Sequence, residues 1–125
     1  RSEPAVRTVP MPSDANSNGD IFGGWVLSQM DIAGGIIATR QAKGRVVTVT
    51  IDAMTFDRPI QVGDLVSIYG HVSATGTSSI TVEMETIVQR QYSEEEIKVT
   101  GGQFKFVAID SEGRPRPLPG SSNSS

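Results

Sequence analysis

One carboxylate stands where carboxylates are costly. Asp31 lies between Met30 and Ile32, in a stretch from Trp25 to about Lys43 that is apolar on nearly every side. Burying a lone carboxylate is expensive unless it is paired or lines a polar pocket. Asp31 therefore either reaches a solvent edge or a buried hydrogen bond, or it is an acid or base tuned by its apolar surroundings. Just ahead of the apolar stretch stand Gly23 and Gly24. A helix N-terminus presents free N–H groups and a positive dipole end, and glycine leaves that backbone open to a ligand. Such a place suits a developing oxyanion on a carbonyl, although a plain capping turn would be written the same way. Gly34 and Gly35, one turn past Asp31, each cost about 1 kcal/mol relative to Ala inside a helix. They point to something packed close against the backbone, most simply a sheet.

Other chemistries lack their residues. The sole histidine, His71, falls inside a predicted strand, where a sheet-face side chain is the plain reading. No Gly-x-Ser-x-Gly elbow presents a serine, no His or Cys cluster has metal-ligand spacing, and no glycine-rich nucleotide loop follows a strand. With no cysteine in the chain, a disulfide framework, a thiolate metal site and a cysteine nucleophile are excluded together. The 11 basic and 14 acidic side chains give a net charge of −3, without the basic excess of a nucleic-acid binder. An anionic ligand would have to be held by a local cluster of cations. The absence of cysteine fits a reducing cytoplasm; no apolar run is long enough to span a bilayer, and no signal-peptide pattern opens the chain. An opening Arg reads as a trimmed or partial chain.

The 125 residues suit one domain. Residues 1–10, confined by prolines, read as a short edge strand. Pro12 to Asp20 is dense in turn formers and reads as an ordered loop. The apolar helix follows, with Gly44 as its stop. The period then changes to two. Arg45 to Phe56, Leu65 to Thr75, Ile80 to Gln89 and Ile97 to Ile109 read as long strands, separated by Arg58–Asp64, Gly76-Thr77-Ser78 and Tyr92–Glu96. The tail carries Pro115, Pro117 and Pro119, and residues 120–125 read as disordered low-complexity sequence. Four consecutive antiparallel strands would form one curved sheet, and a single apolar helix must be wrapped by it: an α+β hotdog architecture over residues 1–119. The open sheet edges predict pairing with a second copy.

The run Met11-Pro12-Ser13-Asp14-Ala15-Asn16-Ser17-Asn18-Gly19-Asp20-Ile21-Phe22-Gly23-Gly24-Trp25-Val26-Leu27-Ser28-Gln29-Met30-Asp31 resembles the signature of YciA-like acyl-CoA thioesterases. The similarity continues through Gly44–Val49, Pro59–Asp64 and Gly76–Ile80, and ends around Phe104–Ala108 and Gly113–Arg116. The resemblance implies hydrolysis of acyl-CoA to a free acid and CoA, with no cofactor beyond the CoA of the substrate and no metal. It implies a homodimer assembled into a trimer of dimers. It makes Asp31 the catalytic aspartate, acting with Asn16 of the other subunit, and makes Gly23 and Gly24 the oxyanion turn. Asp31 would act as general base or as nucleophile. Candidates for the CoA phosphates are Arg58, Arg114 and Arg116, with Thr77, Ser78 and Ser79 offering hydroxyls and amides.

Three rival readings differ in what they need. A dehydratase of the same fold needs a histidine beside a carboxylate, and His71 is alone in the wrong segment. A non-catalytic acyl-CoA-binding module would bind CoA without turnover. A structural homo-oligomer would bind no CoA at all.

Overall fold

A computed structural model describes residues 3–52 and 55–120. A strand β1 (Val6–Thr8) leads through a 3-10 turn at Pro12–Asp14 into the helix α1 (Gly23–Ala42). Four strands follow: β2 (Val46–Ile51), β3 (Leu65–Thr75), β4 (Ser79–Gln89) and β5 (Glu96–Ala108). Residues 1 and 2 of the expected lead-in strand, Ala53 and Met54 of the expected strand after the helix, and residues 121–125 of the expected tail lie outside the described residues.

The five strands form one antiparallel sheet, but not in the expected sequence of hairpins. The order is β1-β3-β4-β5-β2. β2 does not pair with β3; it lies on the far edge against β5, with Val46 opposite Ala108 and Ile51 opposite Phe104. A sheet that wraps one helix needs an edge on each flank of it. β1 enters on one flank, α1 crosses the concave face, and the chain leaves α1 onto the opposite flank as β2. The return runs beside β5: Asp52 N–H donates to Gln103 O (2.9 Å), Asp57 N–H to Val99 O (2.8 Å), and Phe56 bridges to Thr100. β2 is therefore shorter than the alternation from Arg45 to Phe56 suggests.

α1 buries Val26, Met30, Ala33, Gly34, Ala38 and Ala42. Across from it the core is built from strand residues that point inward at every second position, including Val66, Ile68, Ile80, Val82, Met84, Phe104 and Phe106. The all-round apolar helix is thus covered on one side only. Leu27 and Ile32 remain exposed, as do Val47, Val49 and Ile51 on the edge strand β2. Gly34 is forced by packing: a Cβ there would come within 2.8 Å of Phe106 Cζ and 2.9 Å of Met84 Cε. Gly35 has no such neighbour, since its Cβ would meet nothing within 4 Å, so the expected close approach holds at only one of the two glycines.

The helix stops one residue before the expected glycine. Lys43 takes the left-handed conformation (φ 55°), and its N–H donates to Thr39 O at 2.8 Å. Gly44 has a different purpose. A Cβ there would lie 2.5 Å from Arg116 Nη2, which donates to Ala42 O at 2.9 Å. The tail thereby places a guanidinium on the negative end of the helix dipole. One polar group in the core stands alone: Thr86 Oγ1 is fully buried without a hydrogen-bond partner among the described residues.

Candidate active site

Asp31 sits in the third turn of α1, half-buried, on the side that looks toward β2. Thr48, in the middle of β2, donates its hydroxyl to Asp31 Oδ1 at 2.6 Å. The contact fixes one carboxylate oxygen, and Oδ2 has no hydrogen-bond partner among the described residues. Thr48 is the residue that sequence reasoning missed. It sits in a Val-Val-Thr-Val-Thr run whose Thr residues are ordinary strand formers. Only the register singles it out: Thr48 is paired with the inward-facing Phe106, so its hydroxyl points at the helix where an apolar side chain is the rule.

Gly23 and Gly24 do not precede the helix; they are its first two residues, with Phe22 as N-cap. The first main-chain N–H that turns back is that of Trp25, donated to Phe22 O at 3.0 Å. The N–H groups of Gly23 and Gly24 have no acceptor among the described residues. A Cβ on Gly24 would meet nothing within 4 Å, and one on Gly23 would only touch the Phe56 ring at 3.7 Å. The glycines leave open space above two unpaired donors, which is what an incoming carbonyl oxygen requires. Asp31 follows Gly24 by seven residues, two turns, and so shares its face of the helix.

Asn16 lies in a closed loop. Its N–H donates to Asp20 O (2.8 Å), and its side-chain Oδ1 accepts the N–H groups of Asn18 (2.9 Å) and Asp20 (3.1 Å). With the carbonyl oxygen spent inside the loop, the Nδ2 amide is the group turned outward, so Asn16 offers a donor. No hydrogen bond joins Asn16 to Asp31 within one chain among the described residues.

Of the residues considered for the CoA phosphates, the Thr77–Ser79 turn and Arg116 meet at Ala108, whose N–H donates to Ser78 O and whose carbonyl accepts Arg116 N–H. Arg58 is exposed in the segment that returns from β2. Thr77, Ser78 and Ser79 form the β3–β4 turn, where Thr77 O accepts Leu118 N–H (2.8 Å) and Ser78 O accepts Ala108 N–H (2.9 Å). Arg114 is exposed and ion-paired to Glu112, and more loosely to Asp110 at 3.9 Å. The Asp110 carboxylate caps its own turn by accepting the N–H groups of Glu112 and Arg114, both at 2.9 Å, and these bonds hold its pKa below the ordinary 3.8. Arg116 is committed to main-chain carbonyls: Ile109 O (3.1 Å), Ala42 O (2.9 Å) and Pro117 O (3.4 Å). Its guanidinium seals the helix end. His71 lies on the outer face of the sheet, 3.9 Å from Glu83. No group of three His, Cys, Asp or Glu side chains among the described residues could hold a metal ion. No helix among them is long and apolar enough to cross a membrane.

Known proteins are similar to this chain in sequence and fold over nearly its whole length. The acyl-CoA thioester hydrolase YciA of Escherichia coli is 50% identical over 117 residues, 91% of this chain and 89% of that protein. HI0827, a hexameric broad-specificity acyl-coenzyme A thioesterase, superposes with a TM-score of 0.90 at 48% identity, covering 95% of this chain and 88% of that one. The hexameric thioesterase y2039 of Yersinia pestis gives a TM-score of 0.89 at 50% identity, over 94% of this chain and 95% of that one. The sequence profile of the thioesterase superfamily matches residues 18–93. That match takes in the Gly-Gly helix start, Asp31, Thr48 and the crossover to β3, and the chain belongs to the thioesterase superfamily.

Proposed function

We propose that this protein hydrolyses the thioester of acyl-CoA to a free acid and CoA, with residues 1–119 as one hotdog domain working in the cytoplasm. The observation that carries this reading is the Asp31 carboxylate, held at one oxygen by Thr48 over 2.6 Å on the helix face that begins with two unpaired glycine N–H groups. The thioester carbonyl binds at a helix N-terminus, where the Gly23 and Gly24 N–H groups take the charge that develops on oxygen. Asp31 either removes a proton from the attacking water or attacks the carbonyl carbon itself. In the first route the water oxygen bonds to the carbonyl carbon, the C–S bond breaks, and the proton taken by Asp31 passes to the leaving CoA thiolate. In the second the C–S bond breaks as an acyl–Asp31 anhydride forms, and water then hydrolyses that anhydride, releasing the acid, restoring the carboxylate and supplying the thiolate's proton.

The site is shared between copies. Asn16 acts from the partner subunit and donates its amide to the carboxylate, the water or the carbonyl oxygen. Two features support a second copy: the apolar side chains left exposed on α1, and an edge strand β2 with Val47, Val49 and Ile51 uncovered. The hexamers formed by the relatives fit a trimer of such dimers. Arg58, Arg114 and Arg116, with the Thr77–Ser79 turn, are the candidates for the CoA phosphates.

The test is release of free CoA thiol from acyl-CoAs of increasing chain length, with wild type and Asp31→Asn side by side. Release by wild type and its loss in Asp31→Asn, with CoA still bound, is the expected result. A wild type that binds CoA and releases no thiol would sink this reading in favour of a binding module.

A further inference from the structure

The loop that presents Asn16 leans on a short irregular segment. Ile21 N–H donates to Ile60 O at 2.8 Å, and Asp20 pairs with Gln61. Ile60 and Gln61 belong to no strand of the sheet, so no ladder fixes them. They are held by a side-chain clamp. The Asp64 carboxylate, only 2% exposed, accepts Gln61 N–H at 2.9 Å and the Arg90 Nη1 group. The other terminal nitrogen of Arg90 donates to Pro59 O at 3.1 Å. The clamp thus grips the main chain on both sides of Ile60, the residue that receives Ile21.

We infer that Arg90 and Asp64 are positioning residues for catalysis: through the Pro59–Asp64 turn they set where Asn16 presents its amide. This rests on the reading above that Asn16 takes part in the reaction. Neither side chain meets the substrate. A planar guanidinium can reach a carboxylate and a carbonyl with two fixed nitrogens at once, which an ammonium on a flexible stem cannot do with the same geometry. Asp64 is buried while Arg90 is partly exposed, and the guanidinium's bonds to both the carboxylate and the Pro59 carbonyl make the clamp more than a loose surface ion pair. Misplacing a catalytic group by as little as an ångström costs about a hundredfold in rate, so a stiff mount is worth having.

The experiment is a double-mutant cycle on thiol release, with wild type, Asn16→Ala, Arg90→Met and the double variant. Arg90→Met is expected to lower kcat by about ten- to a hundredfold, with KM little changed, and to add nothing once Asn16 is Ala, because both changes act through one amide. Arg90→Lys is expected to recover part of kcat. Removing Arg90 leaves a buried carboxylate, so folding is followed by circular dichroism. If Arg90→Met does not fold, Asp64→Asn, which keeps the shape and an acceptor oxygen, is read in the same cycle. A wild-type kcat in the clamp variant, or a loss that multiplies in full with that of Asn16→Ala, overturns the inference while the thioesterase reading stands. If Asn16→Ala is as active as wild type, the reading of Asn16 fails and takes this inference with it.

Discussion

Thr48 on the edge strand and Asp31 on the central helix are joined by a 2.6 Å hydrogen bond that spans 17 residues of sequence. It is the one side-chain hydrogen bond shown from the helix to the sheet among the described residues, and it falls on the carboxylate. A hydroxyl that donates to one oxygen orients the other, and a hydrogen bond to a charged group contributes about 1.5–3 kcal/mol.

Thr48→Val removes the donor and keeps the shape. Steady-state hydrolysis of a good acyl-CoA substrate is expected to show kcat lowered about ten- to a hundredfold, the kinetic equivalent of that energy. KM should change little, because Thr48 holds Asp31 rather than substrate. An unchanged kcat would mean that Asp31 is oriented by something else.

The adjacent glycines at 34 and 35 separate cleanly under alanine substitution. Gly34→Ala drives a methyl into the buried Phe106 ring, and the overpacking cost of about 1–3 kcal/mol exceeds the helix-propensity gain of about 1 kcal/mol. Gly35→Ala meets no atom of its own chain and keeps that gain in full. Thermal melts should therefore move in opposite directions, with Gly34→Ala lower and Gly35→Ala higher than wild type. A drop for Gly35→Ala would show that a partner subunit occupies the space.

Thr86→Val replaces a buried hydroxyl that has no partner among the described residues. An unsatisfied buried donor carries a desolvation penalty of about 1–3 kcal/mol, and an apolar group of the same shape relieves it. Chemical denaturation should show a higher midpoint at an unchanged slope. A lower midpoint would reveal a hydrogen bond made by a bound water.

Asp110 reports on the Asp110–Arg114 turn. The N–H groups of Arg114 and Glu112 bond its ionised form and depress its pKa below 3.8. A carboxylate depressed in the folded state stabilises the turn above its unfolded pKa, and that contribution is lost as pH falls below 3.8 toward the lowered value. NMR should show the Asp110 carboxyl titrating below an ordinary aspartate, with the Glu112 and Arg114 amide signals moving on the same curve. A midpoint at the ordinary value would remove the capping role.

The helix, the three long strands β3 to β5 and the loop before the helix were legible in the sequence because each has a strong local signature: an unbroken apolar run, period-two alternation, or a cluster of turn formers. Strand order was not. Nothing in the alternation of Val46 to Ile51 distinguishes a partner 14 residues ahead from β5, some 50 residues on; the choice is made by where the helix deposits the chain. Asp31 and the two glycines stood out as candidates because a carboxylate in an apolar helix and a Gly-Gly pair at its start are conspicuous, and Asn16 became one only through the long shared motif. Thr48 did not, because threonine is at home in any strand until the register shows which way it faces. The bonds of Arg116 to Ala42 and Ile109 were hidden for a related reason: an arginine near a tail looks solvated until the helix end beside it is known.

The pairing of β2 with β5 and the reach of Arg116 back to Ala42 also bear on how the chain is made. Synthesis proceeds from the N-terminus, so the helix and β2 leave the ribosome long before the strand and the guanidinium that complete them. Until residue 108 has emerged, Val47, Val49 and Ile51 have no ladder on either side, and until residue 116 has emerged the last carbonyls of the helix are uncapped. Contacts of such long sequence separation form late and slowly. The nascent protein thus carries an apolar, unpaired strand while more than 50 further residues are made, and that segment is the part a chaperone would be expected to shield.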